Sequence, residues 1–140
     1  MADDLAGANV NRLYSNAGTS IAIFTFVLFF LYPRFRDGEI DPVLFQLTLA
    51  VMGVVTFSFV VASFHYYCAS VGQRLGVAEK ALHARQGDRL WLLGSTLLFL
   101  VPSLILVTIE LYLVTAVWGF LWLIYLRFAL RQFPKVQAGP

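Results

Sequence analysis

The sequence predicts an all-α, polytopic membrane protein with four transmembrane helices and both termini in the cytoplasm. Three observations carry that reading. Of the 140 residues, 59% are hydrophobic and 13% charged, against roughly 25% charged in an ordinary soluble domain. The apolar residues are gathered into long blocks, and about 20 such residues span about 30 Å of hydrocarbon as a helix. The basic residues fall in the segments between the blocks and are strongly biased to one side of the inferred topology. The length suits a single membrane domain over residues 1–140.

The first span is read over residues 17–32, around the apolar run that begins at Ile21. That run is short, so Ser15 to Ser20 must extend the helix, with their polar groups satisfied by neighbouring helices or interfacial water. Pro33 is expected to end it, because proline has no N–H for the next backbone bond. The start of the chain, Met1-Ala2-Asp3-Asp4, is acidic, and no small-residue cleavage site follows the apolar run; the expectation is a retained span and not a cleaved signal peptide.

A loop of mixed charge, Arg34 to Asp41, leads to Pro42, a residue suited to a first helical turn. The second span is read over 43–69. Ser58, Ala62, His65 and Ala69 share one stripe of it, and small residues there invite close approach of another helix. Residues 71–89 carry Arg74, Lys80, Arg85 and Arg89, with Leu75, Ala78 and Leu82 at helical spacing. They read as a cytoplasmic connector holding a short amphipathic helix, in water or on anionic headgroups.

From Leu90 to Leu126 the one formal charge is Glu110. A single helix of that length would be about 55 Å long, nearly twice the hydrocarbon thickness. Two spans are therefore expected, over 90–109 and 113–130, with a turn near Glu110-Leu111-Tyr112. Pro102 should kink the third span unless a neighbour or Ser103 bonds the carbonyl it frees.

With an inside start, Arg12, Arg74, Lys80, Arg85, Arg89, Arg127, Arg131 and Lys135 lie in the cytoplasm, and Arg34 and Arg36 lie outside. That distribution obeys the positive-inside rule and suits a multi-pass protein of a cell inner membrane. The small net charge of +2 does not point to nucleic acid.

Little chemistry is visible in the sequence. Cys68 is the only cysteine, which excludes an intrachain disulfide or a cysteine-built metal centre. His65 and His83 are the only histidines. Zinc asks for three or four ligands, and haem would need both imidazoles at bundle depth, which His83 is not expected to reach. His65 is read instead as a hydrogen-bonding residue between helices. Glu110 is a candidate ion or proton site if it lies in the hydrocarbon, and a solvated turn residue if the hairpin holds. Trp118, Trp122 and Tyr125 form an aromatic stripe best explained by packing or lipid contact. No nucleophilic triad or phosphate loop appears, so neither enzymatic activity nor a cofactor is expected.

Arg12-Leu13-Tyr14-Ser15-Asn16-Ala17-Gly18-Thr19-Ser20-Ile21-Ala22-Ile23, followed by an apolar run closed by Tyr32-Pro33, resembles the opening helix of the transmembrane protein 175 family of potassium channels. Tyr14-Ser15-Asn16 takes the place of the family's Phe-Ser-Asp. His65 matches a histidine closing the family's second helix, and Arg89-Leu90-Trp91-Leu92-Leu93 resembles the start of its third, with Gly94 where the family has asparagine. The resemblance implies a homo-oligomer whose first helices surround a cation pathway. It places Ile21, Phe24 and Leu28 on the pore as apolar constrictions, and Ser15, Asn16 and His65 in a polar network fixing that helix. Such rings gate by dewetting. Two other readings stand beside it: a non-conducting scaffold or accessory subunit that meets a membrane partner through Ser58, Ala62 and His65, and a small-molecule transporter using Glu110 or His65.

Overall fold

The computed structural model describes the backbone of residues 2–71 and 76–137 and the side chains of 11–70 and 76–131. Arg74 and Leu75 of the predicted connector, and the side chain of Lys135, lie outside the described residues. The described chain is entirely helical: α1 (Ala2–Arg36), α2 (Pro42–Val71), α3 (Val77–Thr108) and α4 (Tyr112–Gln137). All four are long and apolar enough to cross a membrane.

Local chemistry explains the helix ends, and corrects one. α1 continues through Pro33 to Arg36 instead of ending at Tyr32. Its last turn closes in the six-to-one pattern of a Schellman cap, with Glu39 N bonded to Arg34 O at 2.9 Å and Gly38 N to Phe35 O at 3.1 Å. Gly38 supplies the left-handed residue at φ 77°. Pro33 costs one amide bond, and the chain stops where glycine permits the reversal. α2 then starts at Pro42 with Asp41 as its cap: one carboxylate oxygen accepts from Val43 N at 2.8 Å and Leu44 N at 2.9 Å. At the other end of α2, Glu79 returns to cap α3 by accepting from Gly76 N at 3.1 Å.

The largest departure from the sequence reading is α3. The connector helix and the third span are one uninterrupted helix of 32 residues, about 48 Å long. Its first turns therefore extend the span beyond the apolar stretch. α3 also runs through Pro102, and Ser103 does not relieve it: the buried Ser103 hydroxyl has no hydrogen-bond partner. The following turn has the same design as the first. Glu110 N bonds Val107 O at 3.0 Å and Leu111 N bonds Leu106 O at 2.9 Å, which places Glu110 in the left-handed position at φ 63°.

Sequential helices are antiparallel, so the turns after α1 and α3 share one end, called here the hairpin end. The α2–α3 junction and both termini share the other, the basic end. α2 lies between α1 and α3 and packs on both, α4 packs on α3 alone, and α1 barely meets α3. The core is built along α2. Near the basic end, Leu13 and Ala17 of α1 meet Val55, Phe59 and Ala62 of α2, with Leu90, Trp91, Leu97 and Leu98 of α3 against them. Near the hairpin end, Val27, Leu31, Ile40 and Phe45 form a second cluster, with the rings of Phe35 and Phe45 stacked at 4.8 Å.

Shape and polar contacts join the helices, as apolar helices in a bilayer would require. Two glycines of α3, two turns apart, receive two rings of α2. A Cβ on Gly87 would stand 3.0 Å from the Tyr66 ring, and one on Gly94 would stand 3.0 Å from the Phe59 ring. Hydroxyl pairs join Ser20 to Thr56 at 3.0 Å and Thr48 to Thr108 at 3.4 Å. α4 has one such link to α3, from Trp122 Nε1 to Thr96 O at 2.9 Å, and the rings of Phe99 and Tyr125 lie 4.5 Å apart.

Candidate functional site at the basic end

Polar side chains from three helices converge at the basic end. Arg12 of α1 places its guanidinium carbon 5.3 Å from the Trp91 ring centroid, a cation–π contact that ties α1 to α3. The missing side chain at Gly87 lets the Tyr66 ring lie against α3, and the Tyr66 hydroxyl donates to the neighbouring Asp88 carboxylate. Arg12, Leu13, Tyr66, Asp88 and Trp91 enclose a cleft of about 170 Å³.

Beside this cleft lies a hydrogen bond between helices, the role read for His65, made with the histidine that the sequence reading excluded from bundle depth. His65 of α2 and His83 of α3 meet with their Nδ1 atoms 3.0 Å apart. The exclusion rested on a separate connector helix; continuing α3 back to Val77 puts His83 on the same face as Gly87 and Gly94. The spacing of four and seven between those three residues was the available signal. Among the described residues no group of three or more His, Cys, Asp or Glu side chains is placed to hold a metal ion.

The expected polar network is arranged differently. Ser15, Asn16 and His65 are not hydrogen-bonded to one another: Ser15 contributes its backbone carbonyl, accepting from Thr19 Oγ1 at 3.0 Å, and His65 is engaged with His83. Arg12 and Ser20 are the residues that tie α1 down. Of the three residues expected on a pore, Ile21 and Leu28 are exposed, at 52% and 37%. Phe24 is half-buried, because its position falls on the stripe of Leu13, Ala17, Val27 and Leu31 that packs inward.

Two further expectations change. Ser58 and Ala62 are 2% and 0% exposed, so their stripe is covered by the chain's own helices and is not a free docking face. Glu110 is an exposed residue of the hairpin turn, outside every helix.

Together these features define, among the described residues, an all-helical chain with four helices long and apolar enough to cross a membrane and with polar side chains of three helices converging at one end. Comparison with protein-family models, with curated proteins and with solved structures finds no match to the chain.

Proposed function

We propose that the chain is a four-span protein of a cell inner membrane, with its basic end in the cytoplasm, and that copies of it assemble into a cation channel of potassium type. The observation that carries the reading is the outward face of α1. Ile21 and Leu28 are exposed, at 52% and 37%, beside the stripe of α1 that packs inward, while Arg12 on Trp91 and Ser20 on Thr56 hold α1 to the other helices. A helix fixed on one face and apolar on the other can present rings of large side chains to a symmetry axis. A cation entering such a ring loses hydration without new ligands, which is how an apolar constriction closes a pathway. Phe24, turned toward its own chain, serves packing in this reading. The basic end carries Arg12, Lys80, Arg85, Arg89, Arg127 and Arg131, and the hairpin end carries Arg34, paired with Glu39 at 3.0 Å, and Arg36; the excess supports a cytoplasmic basic end.

Purified protein in liposomes should then pass potassium, Ile21→Asn and Leu28→Asn should raise the flux, and Ile21→Cys should cross-link between copies. Flux no greater than in empty liposomes, from protein with intact helical circular dichroism, would refute conduction.

A second reading, an accessory subunit of a larger membrane complex, is favoured by α4. None of its apolar span is buried, and among the described residues its backbone packs on α3 alone. Here α4 replaces the Ser58 stripe as the docking face. Stoichiometric co-purification of one membrane partner, lost on Leu121→Trp, would select this reading over the channel.

A further inference from the structure

We propose that His65 and His83 form a two-imidazole site for a divalent transition-metal ion that joins the end of α2 to the beginning of α3. The two Nδ1 atoms are 3.0 Å apart, with ring centroids separated by 5.2 Å and ring planes inclined by 40°. Zinc binds imidazole nitrogen at about 2.0–2.1 Å. Two nitrogens at that distance from one ion and 3.0 Å from each other enclose an angle of about 95°. This lies between adjacent octahedral positions and a tetrahedral pair, which needs the nitrogens only about 0.3 Å farther apart.

Without an ion, the same contact is a hydrogen bond in which one Nδ1 carries the proton and the other accepts it. An ion takes that proton's place. The ring that carried Nδ1–H changes tautomer, so both rings then hold their proton on Nε2; no net proton is released when both rings were neutral, and one is released for each ring that was protonated.

The surroundings suit an exchangeable ion. Both rings are half-exposed, so an ion can arrive with its water. The Phe64 ring stands edge-on to His65 at 6.4 Å. The nearby acids are engaged elsewhere: Glu79, one turn before His83, caps Gly76 N, and Asp88 accepts from Tyr66. Two protein nitrogens therefore bind, and water completes the shell. Imidazole selects copper, nickel and zinc over magnesium or calcium, which take oxygen ligands, and the affinity order puts Cu²⁺ first.

The test uses the full chain in detergent, stripped with chelator and titrated with Cu²⁺ under electron paramagnetic resonance, with Zn²⁺ calorimetry in parallel. Wild type should bind one Cu²⁺ per chain with two-nitrogen hyperfine structure. His65→Gln and His83→Gln should each leave one nitrogen and weaken binding at least tenfold, while Cys68→Ser should change neither. Absence of copper binding by the wild type, or unchanged affinity in both glutamine variants, would overturn the proposal. Should a glutamine variant fail to fold, the wild-type nitrogen count decides alone: two supports the site, and none or one removes it.

Discussion

Gly94→Ala tests most directly how α2 and α3 are held together. In an open helix interior, replacing glycine by alanine gains about 1 kcal/mol through helix propensity. At position 94 the new methyl would lie 3.0 Å from one Phe59 ring atom and 3.2 Å from two others. Phe59 is 0% exposed, so its ring must shift within a filled core, and overpacking of that kind costs about 1–3 kcal/mol. The balance is a loss of about 1 kcal/mol. Gly53 and Gly119, with nothing within 4 Å of an added Cβ, serve as internal controls and should gain about 1 kcal/mol each on the same change. Equilibrium unfolding in mixed micelles, followed by circular dichroism, measures all three. A cycle with Phe59→Leu should return a coupling of about 1–2 kcal/mol, because a smaller side chain relieves the clash. A gain at Gly94 equal to that at Gly53, with no coupling to Phe59, would refute the ring-on-glycine account of the contact.

Four further outcomes follow from the turns and from α4. Glu110→Gly should stabilise the chain by up to about 1 kcal/mol, since a left-handed backbone strains a residue with a Cβ; Gly38→Ala should cost about 1 kcal/mol for the same reason, and unfolding midpoints report both. Asp41→Ala removes the acceptor of two amides at the start of α2 and should cost about 0.5–2 kcal/mol by the same assay. Trp122→Phe deletes the hydrogen bond to Thr96 O, worth about 1 kcal/mol. Amide exchange along α4 should then quicken about fivefold while α2 is unaffected, and equal quickening in both helices would count against α4 being separately tethered.

The number of helices was legible in the sequence because it depends on block length, and a hydrocarbon-sized run of apolar residues has one compact solution. Helix ends were less legible. Pro33 looks like a terminator by its missing N–H, yet the reversal waits for Gly38, since the left-handed position and not the lost bond decides where the chain turns. The fusion of connector and third span was illegible for a related reason: Lys80, Arg85 and Arg89 mark where the apolar stretch stops, and charge says nothing about whether the helix stops with it. That one error hid the His65–His83 contact. Gly94 shows the opposite case. In the sequence it is only a glycine where the resembled pattern has asparagine, whereas the structure uses the absent side chain to seat Phe59.

The unequal bonding of the four helices bears on what the molecule can do. In lipid, a helix stays where shape and polar contacts hold it, because burying apolar surface against another helix removes no water. α2 has all of these: two rings in two glycine seats and a hydroxyl pair on each side. α1 has the Ser20–Thr56 pair and the Arg12–Trp91 contact, and α4 has Trp122 on Thr96 and an aromatic contact. Motion within the chain should therefore separate α4 from a stiffer α1–α2–α3 unit, and the joint is α3. A channel built on α1 would keep its lining fixed while α4 answered to lipid or to a partner; an accessory subunit docked by α4 would couple its partner to the chain through Trp122. Cross-linking α3 to α4 with Phe99→Cys and Tyr125→Cys separates these: potassium flux that survives the cross-link places the pathway on α1, and flux abolished by it makes α4 part of the gate.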